Sequence, residues 1–162
     1  MTTDTHGFTE RPNSFPWPPV IYVIALVAGW LLQRLLPLPW FGGATGEVMF
    51  AAGVLAILGA LAVDLTAMRT MHSVRTTILP HRKADHLVTK GVFGLSRNPI
   101  YVANTVLVIG AGLISGIAWY FALAFVAAFA TQKLAIEREE KHLEARFGKT
   151  YRDYKKRVSR WL

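Results

Sequence analysis

Long runs of apolar residues with almost no charge dominate the pattern of this chain. Residues 20–36 are dense in Val, Ile, Leu and Trp, and residues 48–68 contain Asp64 as their only charged side chain. A membrane-spanning helix needs about 20 such residues, with a range of roughly 17 to 25. The prolines and glycines between the two runs are typical helix breakers. The pattern therefore predicts two spans in the first half of the chain.

A third run is too long for a single span. Residues 100–132 contain no Asp, Glu, Lys, Arg or His, and as a helix they would measure about 50 Å at 1.5 Å per residue. The hydrocarbon core of a bilayer is only about 30 Å thick. We therefore expect a break at residues 114–116, which folds the run into a tight helical hairpin. The predicted fold is all-α and multi-pass, with four transmembrane helices over residues 20–36, 48–68, 100–114 and 117–135.

Composition and charge support a membrane protein. Hydrophobic residues make up 52% of the chain and charged residues only 17%, against about 25% charged in an average soluble domain. The net charge is +8, and with four spans every one of the 18 Lys and Arg residues except Arg34 falls on one side. Basic residues concentrate on the cytoplasmic side of membrane proteins, so we expect both termini to be cytoplasmic. A soluble helical bundle would give no reason for this distribution.

The first 19 residues predict a polar, Pro-rich tail rather than a signal peptide, because a basic n-region and a small-residue cleavage site are missing. Residues 20–162 are expected to form a single domain.

The absence of cysteine excludes disulfides and thiolate chemistry. The five histidines lack ligand spacing, so no metal is predicted. The small residues Gly110, Ala111 and Gly112 are typical of close helix packing.

The C-terminal residues predict an amphipathic cytoplasmic helix. Apolar side chains recur at steps of three or four residues, which is helical periodicity; they are Leu143, Phe147, Tyr151, Tyr154, Val158 and Trp161. Gly148 is expected to bend or interrupt this helix. The basic residues that follow would meet anionic head groups of membrane phospholipids. The adjacent membrane spans favour lipid over nucleic acid as the partner.

Two polar groups next to the spans are candidates for chemistry. Arg97 and Asn98 precede Pro99, which suits the first turn of a helix, and Arg97 is either a snorkelling anchor or a site residue. Glu137 and Glu140, with Glu144 four residues on, share one helix face. Such like charges either form a site for a cation or bind nearby arginines.

Asp64 lies inside the predicted second span. Ionisable residues within spans are candidates for function. Its closeness in sequence to Arg69 makes an interfacial ion pair equally compatible with the pattern.

Together these segments resemble the isoprenylcysteine carboxyl methyltransferase and phospholipid methyltransferase superfamily of integral membrane enzymes. The resemblance covers residues 76–160, roughly half of the chain, and the first half matches only in hydropathy. The residues that carry it are Thr76, Thr77, Pro80, Leu87, Val88, Thr89, Gly91, Ser96, Arg97, Asn98, Pro99, Tyr101, Glu137, Glu139, Glu140, Leu143, Phe147, Gly148, Tyr151, Tyr154 and Val158.

The resemblance implies S-adenosylmethionine as cofactor and S-adenosylhomocysteine as product, bound on the cytosolic side by residues 76–101 and 133–160. The implied cofactor-binding residues are Pro80, His81, Leu87, Val88, Gly91, Val92, Phe93, Ser96, Arg97, Asn98, Pro99, Tyr101, Glu137 and Glu140. Catalytic roles are implied for Arg97, Asn98, Tyr101 and Glu140. Animal and yeast isoprenylcysteine enzymes have His where this chain has Asn98, which favours a prokaryotic member and, if the source is bacterial, the inner membrane.

The chemistry of the cofactor is compatible with these residues. Glu137 and Glu140 can hold its ammonium, and Arg97 can take its carboxylate in a bidentate pair. The acceptor would be lipophilic: an isoprenoid or other carboxylate, a phospholipid amine, a thiol or a phenol. A carboxylate acceptor needs no general base, whereas for an amine or hydroxyl the candidates are Glu140, Asp64 and Tyr101.

Two alternatives remain at this point. The sterol reductase family has a similar C-terminal half, which would make the protein an NADPH-dependent membrane reductase, although those proteins are far longer. The other alternative is a noncatalytic lipid-binding adaptor whose basic tail carries its function.

Overall fold

The computed structural model describes residues 17–73 and 87–162, and its regular elements are helices. The five α-helices are α1 (Trp17–Leu35), α2 (Gly43–Ser73), α3 (Pro99–Ser115), α4 (Trp119–Thr131) and α5 (Glu137–Arg157). A 3-10 helix, Gly91–Gly94, precedes α3, and a π-helical segment, Gln132–Ile136, joins α4 to α5 without a break. The helix α1 begins before residue 20 because Pro18 and Pro19 are tolerated in a first helical turn, where their missing N–H groups are not needed.

The helices are those of a membrane protein. Three continuous helices are long and apolar enough to cross a bilayer: residues 18–35 of α1, α2, and the helix Trp119–Arg157 that α4 forms with the π-helical segment and α5. The apolar α3 is slightly shorter, at 17 residues. Large apolar side chains point outward, with Leu55 and Phe125 each 70% exposed. A soluble bundle would bury such side chains, whereas a bilayer solvates them. The protein is therefore an all-α multi-pass membrane protein, as the sequence predicts.

The break between α3 and α4 lies where the sequence places it. Gly116 adopts a left-handed conformation with φ of 70°, and its N–H donates to the carbonyl of Gly112 at 2.9 Å. A Cβ on Gly116 would lie 2.8 Å from Cδ1 of Trp40. Glycine is therefore required both by the conformation and by the approach of the Trp40 ring. The predicted tight hairpin is confirmed.

Glycines also permit the close contact between α2 and α3, which run along each other. A Cβ on Gly53 would lie 2.9 Å from the carbonyl oxygen of Gly110, and a Cβ on Gly110 would lie 2.7 Å from Cγ1 of Ile57. Such backbone approach is how helices pack within membranes. The interpretation of residues 110–112 as packing residues is confirmed.

The helix α1 packs against α4 and α3 through a small core. Its buried members are Tyr22, Ala25, Val108, Tyr120, Ala124 and Ala127. The Tyr22 hydroxyl lies 2.7 Å from the Thr105 hydroxyl and donates to the carbonyl of Tyr101 at 3.1 Å. These bonds satisfy a polar group that would be costly to bury alone, and they fix α1 to the first turns of α3.

The helix α5 bends at Gly148, which has φ of 51° and ψ of −121° inside the helix. Only glycine adopts this conformation without strain. The predicted bend is confirmed, and it turns residues 149–157 back toward the residues that precede α3.

Candidate functional site

The turn before α3 is held by its own side chains and by the end of the chain. Ser96 is buried, and its hydroxyl accepts from the Asn98 N–H at 3.1 Å. Pro99 begins α3 at a position where its missing N–H costs nothing. Ser96 to Pro99 thereby form a rigid corner at one end of the bundle, which we call the RNP turn.

The last residues of the chain, 158–162, lie across this turn and are called here the C-terminal strap. The Arg97 N–H donates to the carbonyl of Ser159 at 3.0 Å, and Nδ2 of Asn98 donates to the carbonyl of Arg160 at 2.9 Å. At the far end of the strap, Nε1 of Trp161 donates to Oε1 of Gln132 at 2.9 Å. The Asn98 amide therefore binds the protein's own backbone in this structure.

Glu140 is the centre of a buried ion cluster. Arg160 binds it with two parallel bonds, Nε to Oε1 at 2.9 Å and Nη2 to Oε2 at 2.8 Å. Nη1 of Arg97 lies 3.1 Å from Glu140 Oε1 and donates to the Tyr151 hydroxyl at 3.2 Å. The side chains of Arg97 and Glu140 are only 8% and 9% exposed. We call Arg97, Glu140, Tyr151 and Arg160 the Glu140 cluster.

The charges in this cluster do not cancel. Two guanidinium groups surround one carboxylate, so the four side chains carry a net positive charge, and Arg160 is the partly exposed member at 30%. The bond to Glu140 raises the pKa of Arg160 above its usual value, so that Arg160 stays a cation. Nε of Arg97 is buried and has no hydrogen-bond partner in the described part of the chain. The cluster is therefore suited to an additional anionic group.

A second polar pair lies on the other side of α5. The Tyr101 hydroxyl donates to Oε1 of Glu139 at 2.8 Å. Tyr101 is on the first turn of α3, and its carbonyl accepts from the hydroxyls of Thr105 and Tyr22. A chain of hydrogen bonds thus connects α1 to Glu139 through the start of α3.

The predicted acidic face of α5 divides into different environments. Glu140 is buried, whereas Glu137 is partly exposed and accepts from Nζ of Lys133 at 2.7 Å. Glu144 lies 3.7 Å from Nζ of Lys155 at a more exposed position. The sequence leaves two alternatives for these carboxylates, a cation site or pairing with nearby basic residues. In the structure, each of the three pairs with a basic residue.

The remaining predicted site residues are placed as follows. Gly91, Val92 and Phe93 form the 3-10 helix, and the carbonyl of Phe93 accepts from the Tyr154 hydroxyl at 2.6 Å. Leu87 and Val88 are half-buried just before it. Pro80 and His81 lie outside the described residues, as do the family-like residues Thr76 and Thr77.

The sequence leaves two possibilities for Asp64, a functional residue within the span or an ion pair with Arg69. Its Oδ1 is buried without a hydrogen-bond partner, and within residues 17–73 and 87–162 no ion pair joins it to Arg69. The same part of the chain contains no group of three or more His, Cys, Asp or Glu residues that could hold a metal ion.

Four residues of this site, Glu139, Tyr151, Tyr154 and Arg160, are not among the catalytic and cofactor-binding residues that the sequence predicts. Glu139 is only among the residues that carry the resemblance. Tyr151 and Tyr154 belong to the apolar stripe of the C-terminal helix, and Arg160 belongs to its basic residues. The helical stripe does carry a signal, because it places Tyr151 and Tyr154 on one inward face. Nothing in the spacing distinguishes Arg160 from its basic neighbours.

Comparison with known proteins decides the family. The family model for phospholipid methyltransferases matches residues 48–150, well over half of the chain. The chain belongs to the phospholipid methyltransferase family. Its membrane-spanning helices make it an integral membrane member of that family.

Two curated proteins are similar to parts of this family member. It is 36% identical over 77 residues to the nickel-cobalt-cadmium resistance protein NccN of Alcaligenes xylosoxydans xylosoxydans, a match that covers 48% of this chain and 36% of NccN. It is 40% identical over 48 residues to an uncharacterized protein of Haemophilus influenzae, covering 30% of this chain and 73% of that protein. No solved structure matches the chain significantly. The match to NccN means that the chain spans only about a third of the length of that protein.

The phospholipid methyltransferase match ends before the Glu140 cluster is complete. Tyr151 and Arg160 both follow residue 150. The Glu140 cluster thus combines matched residues, Arg97 and Glu140, with residues beyond the match.

Proposed function

We propose that the protein transfers a methyl group from S-adenosylmethionine to a lipophilic acceptor, with its site on the cytoplasmic side of the membrane. The observation that carries the proposal is the buried, net positive Glu140 cluster at the RNP turn of a phospholipid methyltransferase. The positive-inside distribution of Lys and Arg supports a cytoplasmic location for this end of the bundle.

The residues of the site fit the amino-acid portion of the cofactor. A carboxylate would bind at Arg97, whose unpartnered Nε supplies a donor. Glu140 already binds two guanidinium groups, so we assign it to holding these arginines in place. This changes the role first expected for Glu140 as a direct partner of the cofactor ammonium.

Glu137 is the better partner for the ammonium. It lies one helical turn from Glu140, and its present partner is the half-exposed Lys133. Exposed ion pairs contribute little stability, so a ligand cation can replace Lys133 at small cost. Pro80 to Gly91, as the resemblance implies, would line the remainder of the pocket.

When bound, S-adenosylmethionine supplies an electrophilic methyl group on a sulfonium sulfur. The protein aligns the acceptor with that group and excludes water, and such positioning lowers barriers by up to roughly 7 to 11 kcal/mol. For an amine or hydroxyl acceptor, we assign the hydrogen-bonded Tyr101 and Glu139 pair as the group that takes the proton. A carboxylate acceptor would not use this pair.

Ligand binding tests the proposal directly. The purified protein in detergent is titrated with S-adenosylhomocysteine and S-adenosylmethionine by calorimetry, with NADPH in parallel. We expect saturable binding of the first two and none of NADPH. Binding of NADPH alone would instead support a reductase, and no binding by folded protein would support a noncatalytic adaptor.

A variant pair identifies the site. Arg97→Ala removes a charged donor and is expected to weaken S-adenosylhomocysteine binding at least about tenfold. Arg34→Ala, at the end of α1, removes one positive charge from the opposite end of the bundle and serves as the matched control. Equal weakening by both substitutions would contradict the placement of the site at the RNP turn.

A further inference from the structure

The C-terminal strap is attached to the core on both sides of residue 160. On one side the Ser159 carbonyl binds the Arg97 N–H, and on the other Trp161 binds Gln132 in the π-helical segment. Between these anchors the Arg160 carbonyl accepts from Asn98. The strap therefore presents the Arg160 side chain to Glu140 from a backbone that is already fixed.

The Arg160 side chain makes the most extensive contact that Glu140 has. It binds both carboxylate oxygens in a fork, whereas Arg97 reaches only Oε1. The fork fixes the plane of the carboxylate. Because Arg97 shares Oε1, the orientation of the carboxylate also determines where the Arg97 guanidinium lies.

Neighbouring basic residues do not share this arrangement. Arg157 is exposed, and its Nε donates to the backbone carbonyl of Asp153 at 3.4 Å. Arg160 is 30% exposed and faces a carboxylate that is 9% exposed. Arg157 is therefore the matched control for any effect of charge alone.

We propose that Arg160 is a positioning residue of the methyltransferase site. It orients Glu140, and through Glu140 it holds Arg97 and the RNP turn in the arrangement that binds the amino-acid portion of the cofactor. The last residues of the chain, beyond the family match, thus complete the site. This inference rests on the proposed function for the identity of the ligand.

A blocking role for Arg160 would change the ligand affinity in the opposite direction from a positioning role. If Arg160 merely blocked Glu140 in place of a ligand ammonium, its removal would expose the carboxylate and strengthen binding. If Arg160 positions Arg97, its removal weakens binding. The direction of the change therefore separates the two roles.

The test is a calorimetric titration of the full-length protein with S-adenosylhomocysteine. We expect Arg160→Ala to weaken binding by about tenfold to a hundredfold, the range for losing hydrogen bonds to a charged group. Arg160→Lys keeps the charge but not the fork, so its affinity should lie between those of Arg160→Ala and the wild type. Arg157→Ala should bind as the wild type does.

A double-mutant comparison isolates the route through Glu140. In a Glu140→Gln background, Arg160→Ala should change the affinity by less than about threefold, because the ion pair is already lost. An equally large effect in both backgrounds would overturn the inference. If Arg160→Ala does not fold, Arg160→Lys decides alone, since affinity equal to the wild type would overturn the role of the fork.

The result also separates this inference from the proposed function. If the wild-type protein does not bind S-adenosylhomocysteine, the proposed function fails and the inference fails with it. If the wild type binds but Arg160→Ala binds as well or better, only the inference fails.

Discussion

Replacing Glu140 by alanine is expected to destabilise the protein far more than replacing its neighbour Glu137. The Glu140 side chain is 9% exposed and binds two arginines, one of which is itself 8% exposed. Its loss leaves the Arg97 guanidinium buried with the Tyr151 hydroxyl as its only hydrogen-bond partner among the described residues. The isolated charge, rather than the lost bonds, is the main cost.

The expected size follows from this geometry. Breaking a buried ion pair by removing one partner costs about 3–5 kcal/mol. Arg160 is 30% exposed and can be solvated, so only Arg97 remains desolvated and we expect the lower end, about 3 kcal/mol. For a protein of this size, that corresponds to a fall in Tm of about 6–12 °C.

The assay is thermal unfolding in one detergent, followed by the fluorescence of the native tryptophans. Glu137→Ala is the matched control, because Glu137 lies one turn away on α5 and its ion pair is with the half-exposed Lys133. Its Tm should stay close to that of the wild type. Equal changes in Tm for Glu140→Ala and Glu137→Ala would refute the description of Glu140 as a buried ion centre.

Three further predictions concern other parts of the molecule. Gly110→Leu should prevent the close contact of α2 with α3, because even a Cβ would lie 2.7 Å from Ile57; loss of monodisperse protein in detergent would show this, while Gly59→Leu, at an exposed position of α2 where a Cβ meets nothing within 4 Å, should be tolerated better. Tyr101→Phe should cost about 1.5–3 kcal/mol, the value for a hydrogen bond to a charged acceptor, and unchanged unfolding would contradict the bond to Glu139. Gly148→Ala forces an L side chain to φ of 51° and should cost about 1–3 kcal/mol, again measured by thermal unfolding; a neutral result would show that the bend does not need glycine.

The membrane fold could be predicted from sequence because the bilayer imposes strong constraints. Uncharged runs define spans irrespective of their partners, and Gly116 and Gly148 mark conformations that other residues resist. The long run of residues 100–132 had to fold back for reasons of length alone. These features are local, and the structure confirms the hairpin and the bend.

The site could be predicted only in part because its key contacts are distant in sequence. The sequence identifies Arg97 and Glu140, but their spacing does not show that they bind each other. Nor does it show that the partly exposed Arg160 also binds Glu140. Likewise, helical spacing grouped Glu137 with Glu140 and left out Glu139, the residue that Tyr101 contacts. Which carboxylate faces inward depends on how α5 is seated against α3, and no local pattern encodes that.

The π-helical segment Gln132–Ile136 determines this seating. A π turn contains one residue more than an α-helical turn of similar rise, and each residue advances an α-helix by about 100°. If the same residues instead formed a regular α-helix, the additional residue would turn every following side chain of α5 by about that angle. Glu139 and Glu140 would leave their partners even though no residue of the Glu140 cluster had changed. The geometry of the Glu140 cluster thus depends on the phase of one long helix as well as on the identity of its side chains.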